Sequence, residues 1–123
     1  MAKKRLTHDQ QLTNALRQLP NPLIDKKHRI VIYSIDDRAR SNQSRFEHII
    51  EARHGLEPGD IKRIPEKINK SILKQDPDRT DTYNLFIKRN TYSDEYIQIS
   101  LLLDFRESNK AFIKTIFITN NLK

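Results

Sequence analysis

The amino-acid sequence predicts an α+β fold, with N-terminal helices packed on one face of a four-stranded, mostly antiparallel meander sheet. Three observations predict it. The helical patterns are gathered in the first part of the chain and three of the four strand-like runs at its end, a segregation typical of α+β domains. Those three runs are joined by hairpin-length connections, which favour an antiparallel meander. The middle run, from Glu95 to Phe105, alternates cleanly, with Ile97, Ile99, Leu101 and Leu103 on one face. Helices on one side would leave the other sheet face open as a floor for a ligand.

In chain order, residues 1 to 5 form a basic arm. Thr7 followed three residues later by Gln10 is a capping-box pattern, so a helix is expected from 8 to 19. Its apolar stripe is Leu12, Ala15, Leu16 and Leu19, and Pro20-Asn21-Pro22 ends it. Arg29 to Ile35 is short and rich in β-branched residues, which predicts the first strand. Both its faces are apolar, so cover is expected on both sides. Asp36-Asp37-Arg38 turns the chain, and the polar loop Ser41 to Ser44 offers an N-cap to a helix from Arg45 to Gly55. In that helix Phe46, Ile49 and Ile50 make one apolar stripe, and Gly55 supplies the stop.

Glu57-Pro58-Gly59-Asp60 reads as a tight connection, with Asp60 capping a single turn from Ile61 to Ile64. Pro65 fits the first position of a further helix from Pro65 to Leu73. Lys62, Arg63, Lys67, Lys70 and Lys74 give this region a basic outer face, either simply solvated or used to hold phosphate. Gln75 to Asp81 is a turn cluster. The strands Tyr83 to Arg89, Glu95 to Phe105 and Ala111 to Thr119 complete the chain. One compact domain is expected, comprising an arm and helix over residues 1–25 and a main body over residues 26–123.

Composition narrows the function. The 123 residues carry a formal charge of +7, with 32% charged and 36% hydrophobic side chains. A balance this basic favours an anionic partner, nucleic acid before membrane surface. There is no cysteine, which excludes disulfides, thiolate catalysis and cysteine zinc sites. No apolar run approaches the ~18 residues of a membrane span, and no apolar core region follows the basic start, so neither a signal peptide nor a membrane segment is expected. The expected site of action is the cytoplasm. The histidines lack metal-ligand spacing, two glycines cannot build a phosphate loop, and no nucleophilic serine motif is present. The expectation is therefore no metal and no cofactor.

What remains is acid–base work by histidine, with arginine or lysine holding an anion. On a helical wheel at about 100° per residue, Arg53 joins the apolar stripe of Phe46, Ile49 and Ile50, while His54 lies at its edge and His48 on the far side. A cation on an apolar face must pair with a carboxylate, reach out to solvent, or receive an anion. In the last strand, Phe112-Ile113-Lys114-Thr115-Ile116-Phe117 sets a cation and a hydroxyl in an apolar run. Successive strand residues point to opposite faces, so regular alternation allows only one of Lys114 and Thr115 on the open side. If Phe112, Ile116 and Ile118 are core, it is Thr115; if Ile113 and Phe117 are core, it is Lys114.

The stretch His48-Ile49-Ile50-Glu51-Ala52-Arg53-His54-Gly55-Leu56 resembles the helix of phage-encoded nucleases in the barnase, EndoU, colicin and RelE-like (BECR) superfamily. Ile64 to Asn69, Asp81 to Arg89 and Ile113 to Phe117 are similar to the elements that follow in those domains, so the likeness covers residues 28 to 119. The resemblance implies a metal-independent endoribonuclease in which the ribose 2′-OH attacks the adjacent phosphorus, acting as a toxin or as an effector of a phage or mobile element. It implies His54 as general base or acid, Arg53 as phosphate stabiliser, and Thr115 or Lys114 as contacts to the scissile phosphate. His48 also matches the motif. Candidate RNA contacts are Lys62, Arg63, Lys67, Arg79, Lys88 and Arg89. The expected substrate is RNA, with tRNA among the candidates, and an acidic immunity protein or antitoxin is the expected protein partner. The alternatives are a non-catalytic basic nucleic-acid-binding module, for which Tyr83, Tyr92 and Tyr96 are candidate stacking residues, and a protein-interaction domain.

Overall fold

The computed structural model describes residues 7–20, 22–33, 55–90, 92, 94–103 and 109–120. The expected helix from Arg45 to Gly55 lies outside them except for Gly55, whose φ of 83° is the left-handed conformation that glycine tolerates best. His48, Arg53 and His54 likewise lie outside the described residues.

The fold class differs from the expectation. The sheet has six strands rather than four, is mixed rather than a plain meander, and curls into a half-barrel. Its strands are β1 (Leu23–Asp25), β2 (Ile30–Tyr33), β3 (Ile72–Gln75), β4 (Thr82–Lys88), β5 (Tyr96–Leu103) and β6 (Lys110–Thr119). Their spatial order is β1-β2-β6-β5-β4-β3. Strands β3 to β6 pair antiparallel in sequence order, while β2 runs parallel to β6, with Val31 opposite Lys110 and Tyr33 opposite Phe112. Among the described residues two α-helices accompany the sheet, α1 (His8–Gln18) and α2 (Pro58–Lys67).

Each difference has a local cause. Strand β1 is only three residues long, too short for a recognisable alternation. Its hairpin to β2 is shaped by Asp25, whose buried carboxylate accepts the backbone N–H of His28 at 3.2 Å and its Nδ1–H at 2.6 Å. Arg29 closes that turn at φ 58°, a left-handed conformation rare outside glycine. Asp60 does not cap a new turn. It sits at the third position of α2 and accepts the Glu57 N–H at 2.9 Å, so the helix starts at Pro58 and runs through Pro65. A proline in a helix interior costs about 3 kcal/mol. Burial of Ile61, Ile64 and Ile68 along the inner side of α2 and the following 3₁₀ turn (Ile68–Lys70) offsets it. The chain then leaves helical geometry at Ser71, where β3 takes the residues assigned by periodicity to the helix end.

Helix α1 begins as expected. Thr7 Oγ1 accepts the Gln10 N–H and the Gln10 side chain accepts the Thr7 N–H. It packs against α2. Leu12, Ala15 and Leu16 join one core with Ile61, Ile64, Leu85, Ile87, Ile97, Ile99, Leu101 and Ile116. The curl brings the two outer ends of the sheet together. The Lys26 N–H, in the β1–β2 turn, donates to Asn69 Oδ1 at 3.0 Å, and Lys27 Nζ donates to the Ser71 carbonyl at 2.8 Å. Asn69 and Ser71 lead directly into β3, at the opposite edge.

Candidate functional site

The sheet face turned away from the helices is not the open floor that a four-stranded meander implies. Phe86 and Phe112 are each 1% exposed there, and Thr82 and Asn84 are also buried. Its central row runs across three strands, with Asn84 opposite Ser100 and Ser100 opposite Thr115.

An irregularity in β6 builds this face. Ser100 pairs with Thr115 but the next residue, Leu101, pairs with Ile113, so Lys114 is an extra residue in the ladder. Such a bulge breaks the two-residue alternation. Ala111 and Ile113 before it and Ile116 and Ile118 after it all face the helices. Phe112, Thr115 and Phe117 are left on the other face. Lys114 reaches that same face, where its Nζ donates to Thr82 Oγ1 at 3.2 Å. The alternation argument allowed only one of Lys114 and Thr115 on this side; the bulge brings both.

Around them the polar groups are linked. Ser100 Oγ donates to Asn84 Oδ1 at 2.8 Å, and Asn84 Nδ2 donates to Asp76 Oδ2 at 3.3 Å. The Asp78 N–H donates to Asp76 Oδ1 at 2.9 Å. These donors, the Asp78 amide first and the Asn84 amide second, hold the Asp76 carboxyl below its usual range. Thr82 Oγ1 donates to Asp81 Oδ1 at 3.1 Å. Thr115 Oγ1 is buried and has no hydrogen-bond partner among the described residues. A buried hydroxyl without a partner opposes folding, so Thr115→Val is expected to raise stability by up to about 1 kcal/mol, as read from urea denaturation midpoints.

The basic candidates divide into three groups. Lys67 and Lys88 meet at a cleft of about 440 Å³ between the end of α2 and the end of β4, together with Lys70, Glu66 and Asn90. Lys67 Nζ donates to the Arg89 carbonyl at 3.0 Å, which fixes one wall. Lys62 and Arg63 are exposed on α2, and Arg79 is exposed in the β3–β4 turn, where its charge helps to hold Asp76 ionised. Arg89 is committed elsewhere. Its Nε and Nη2 hold both oxygens of the buried Asp60 at 2.9 and 2.8 Å. Nη1 reaches Glu95 at 3.4 Å and Nη2 the Gly55 carbonyl at 3.4 Å. Of the candidate stacking residues, Tyr92 is fully exposed, whereas Tyr83 and Tyr96 are half-buried in the sheet.

Three arrangements escaped sequence reasoning. They are the Asp60–Arg89 fork, the Asp25–His28 pair and the Asp76–Asn84–Ser100 chain. Each depends on pairing between separate elements or on a turn, and the alternation of β4 with a polar Asn84 among apolar neighbours was the only local sign. Among the described residues no group of three or more His, Cys, Asp or Glu side chains is placed to hold a metal ion, and no helix is long and apolar enough to cross a membrane.

No family model, curated protein or solved structure matches this chain.

Proposed function

We propose that the chain is a metal-independent endoribonuclease that cleaves RNA by transesterification. The observation that carries the reading is the Lys114 bulge, which turns a cation and a buried hydroxyl of the last strand onto one face. The chemistry requires a bond from O2′ to phosphorus to form as the bond from phosphorus to O5′ breaks. A base must take the 2′-OH proton, an acid must return a proton to O5′, and a cation must meet the charge that builds on the phosphorane oxygens. On this reading Lys114 contacts the scissile phosphate, His54 moves the proton, and Arg53 adds the second cation, while the buried Thr115 hydroxyl lies behind Lys114 rather than on the phosphate. His54 directly precedes Gly55, whose carbonyl is held by Arg89. The net charge of +7 and the lysines at the Lys67–Lys70–Lys88 cleft supply attraction for the phosphate backbone. The reaction would take place in the cytoplasm, as expected for a toxin or for an effector of a phage or mobile element.

The same cleft favours a second reading, a non-catalytic RNA-binding module, because it offers backbone contacts that need no histidine. Incubation with total RNA in EDTA separates the two. The nuclease reading expects shortened RNA with 2′,3′-cyclic phosphate ends, and a loss of rate of about 100-fold in His54→Ala, the scale of removing one transition-state partner. Intact RNA at high protein concentration, with binding that weakens steeply as salt rises, would leave the binding module instead.

A further inference from the structure

The half-barrel is open, and β1 and β3 are its two edges. The edges are tied together where the Lys26 N–H meets Asn69 and Lys27 Nζ meets the Ser71 carbonyl, but they do not pair with each other. The direction of their backbone groups follows from the ladders. The Asp76 N–H donates to the Thr82 carbonyl at 2.9 Å, so Asp76, Lys74 and Ile72 turn their N–H and C=O groups to β4. Leu73 and Gln75 turn theirs outward, in series with the Ser71 carbonyl that Lys27 takes. On β1, Ile24 stands opposite Val31, whose N–H goes to Asn109 on the β6 side. The backbone groups of Ile24 therefore also point out of the sheet.

The same two strands carry exposed aliphatic side chains. Ile24 is 46% and Ile72 39% exposed, and no other isoleucine or leucine among the described residues is as exposed. Both lie on the face turned away from the helices, Ile24 next to the core residue Leu23 and Ile72 opposite Phe86. The free charge beside them has one sign. Lys26, Lys70 and Lys74 are exposed, whereas Asp25 is taken by His28, and Asp76 by the Asp78 N–H and Asn84. A lysine on a short edge strand repels another copy of the same edge. It attracts a strand that bears carboxylates. We propose that the β3 edge is a docking site for an extended acidic segment of a protein partner. The segment adds a further strand through the outward backbone groups of Leu73 and Gln75. It sets an apolar side chain against Ile72 and carboxylates against Lys70 and Lys74. Such strand addition draws affinity from main-chain hydrogen bonds and specificity from the side chains beside them.

Strand addition at this edge is independent of the nuclease reading and needs no RNA. The probe is a synthetic peptide in which pairs of glutamates flank a pair of isoleucines, added to the full chain at about 1 mM, with amide hydrogen exchange followed residue by residue. Exchange at Leu73 and Gln75 is expected to slow at least about fivefold, the scale of one hydrogen bond. Ile72 and Lys74, already bonded to β4, should change little. The same peptide N-methylated along its backbone should give no protection. Lys74→Glu, at an exposed position, should weaken binding about tenfold. Three results would overturn the assignment: no protection at Leu73 and Gln75, equal protection by a peptide with lysines in place of the glutamates, or the alternating pattern growing with protein concentration without peptide, which would make the occupant a second copy. A chain that cuts RNA but fails this test keeps the nuclease reading and loses the docking edge; one that binds the peptide and leaves RNA intact does the reverse.

Discussion

Arg89→Ala is expected to lower folding stability by about 3 kcal/mol, because it leaves a buried carboxylate without its counter-charge. Asp60 is 3% exposed, and its oxygens accept from Arg89 Nε and Nη2 and from the Glu57 N–H. The Asp60 carboxylate hydrogen-bonds the guanidinium and raises the Arg89 pKa above its ordinary value, so the arginine remains charged at any working pH. The same side chain ties the start of α2 to the end of β4 and touches Gly55 and Glu95. Thermal denaturation should show a fall of roughly 10 °C for a domain of this size. Arg89→Lys should lose most of the effect too, since an ammonium cannot fork onto both oxygens. The double variant Arg89→Met with Asp60→Leu should recover much of the loss, because a buried ion pair replaced whole by apolar groups is often neutral. A drop below about 1 kcal/mol in Arg89→Ala would mean that the fork is worth no more than a surface ion pair.

Deleting Lys114 is expected to leave the fold intact and, if the chain is the proposed nuclease, to abolish RNA cleavage. Removing the extra residue restores strict alternation in β6. Ile113 then faces the helices, Thr115 the other side and Ile116 the helices again, as all three do already. No apolar side chain changes face, and the Lys114–Thr82 hydrogen bond is lost, so stability should change by about 1 kcal/mol. On the proposed nuclease reading, loss of the Lys114 cation should cost about 100-fold or more in rate. Lys114→Ala, which keeps the bulge, should show the same loss. A deletion that unfolds the chain would show that the bulge supports the sheet itself. A folded deletion that still cuts RNA at full rate would remove Lys114 from the chemistry.

Parts of this structure could be read from local sequence and parts could not. The Thr7–Gln10 cap and the alternation of Ile97, Ile99 and Leu101 are short-range signals, and both elements form where they point. Strands β1 and β3 are three and four residues long. Each is an edge strand paired with the next strand in the chain, and runs this short carry too little alternation to be recognised. The two frames considered for the last strand each fit part of it. Ile113 is core as in one frame, and Ile116 is core as in the other, because the frame shifts at Lys114. Pairing alone reveals that shift. At the candidate site, Lys114 and Thr115 could be picked out as a cation and a hydroxyl in an apolar strand. Asp76, Asn84 and Ser100 could not, since their hydrogen bonds join a turn to two strands.

The parallel pairing of β2 with β6 also bears on how the chain is made. Val31 is synthesised early, yet its partner across the ladder is Lys110, and the Val31 N–H donates to the Asn109 carbonyl at 2.8 Å. Domains generally fold as units while the chain emerges from the ribosome, and pairings this distant in sequence are slow to form. β1 and β2 therefore have no sheet to join until the final strand has left the exit tunnel. A stalled or truncated chain lacking β6 would leave that hairpin unpaired, with the half-barrel missing its central strand.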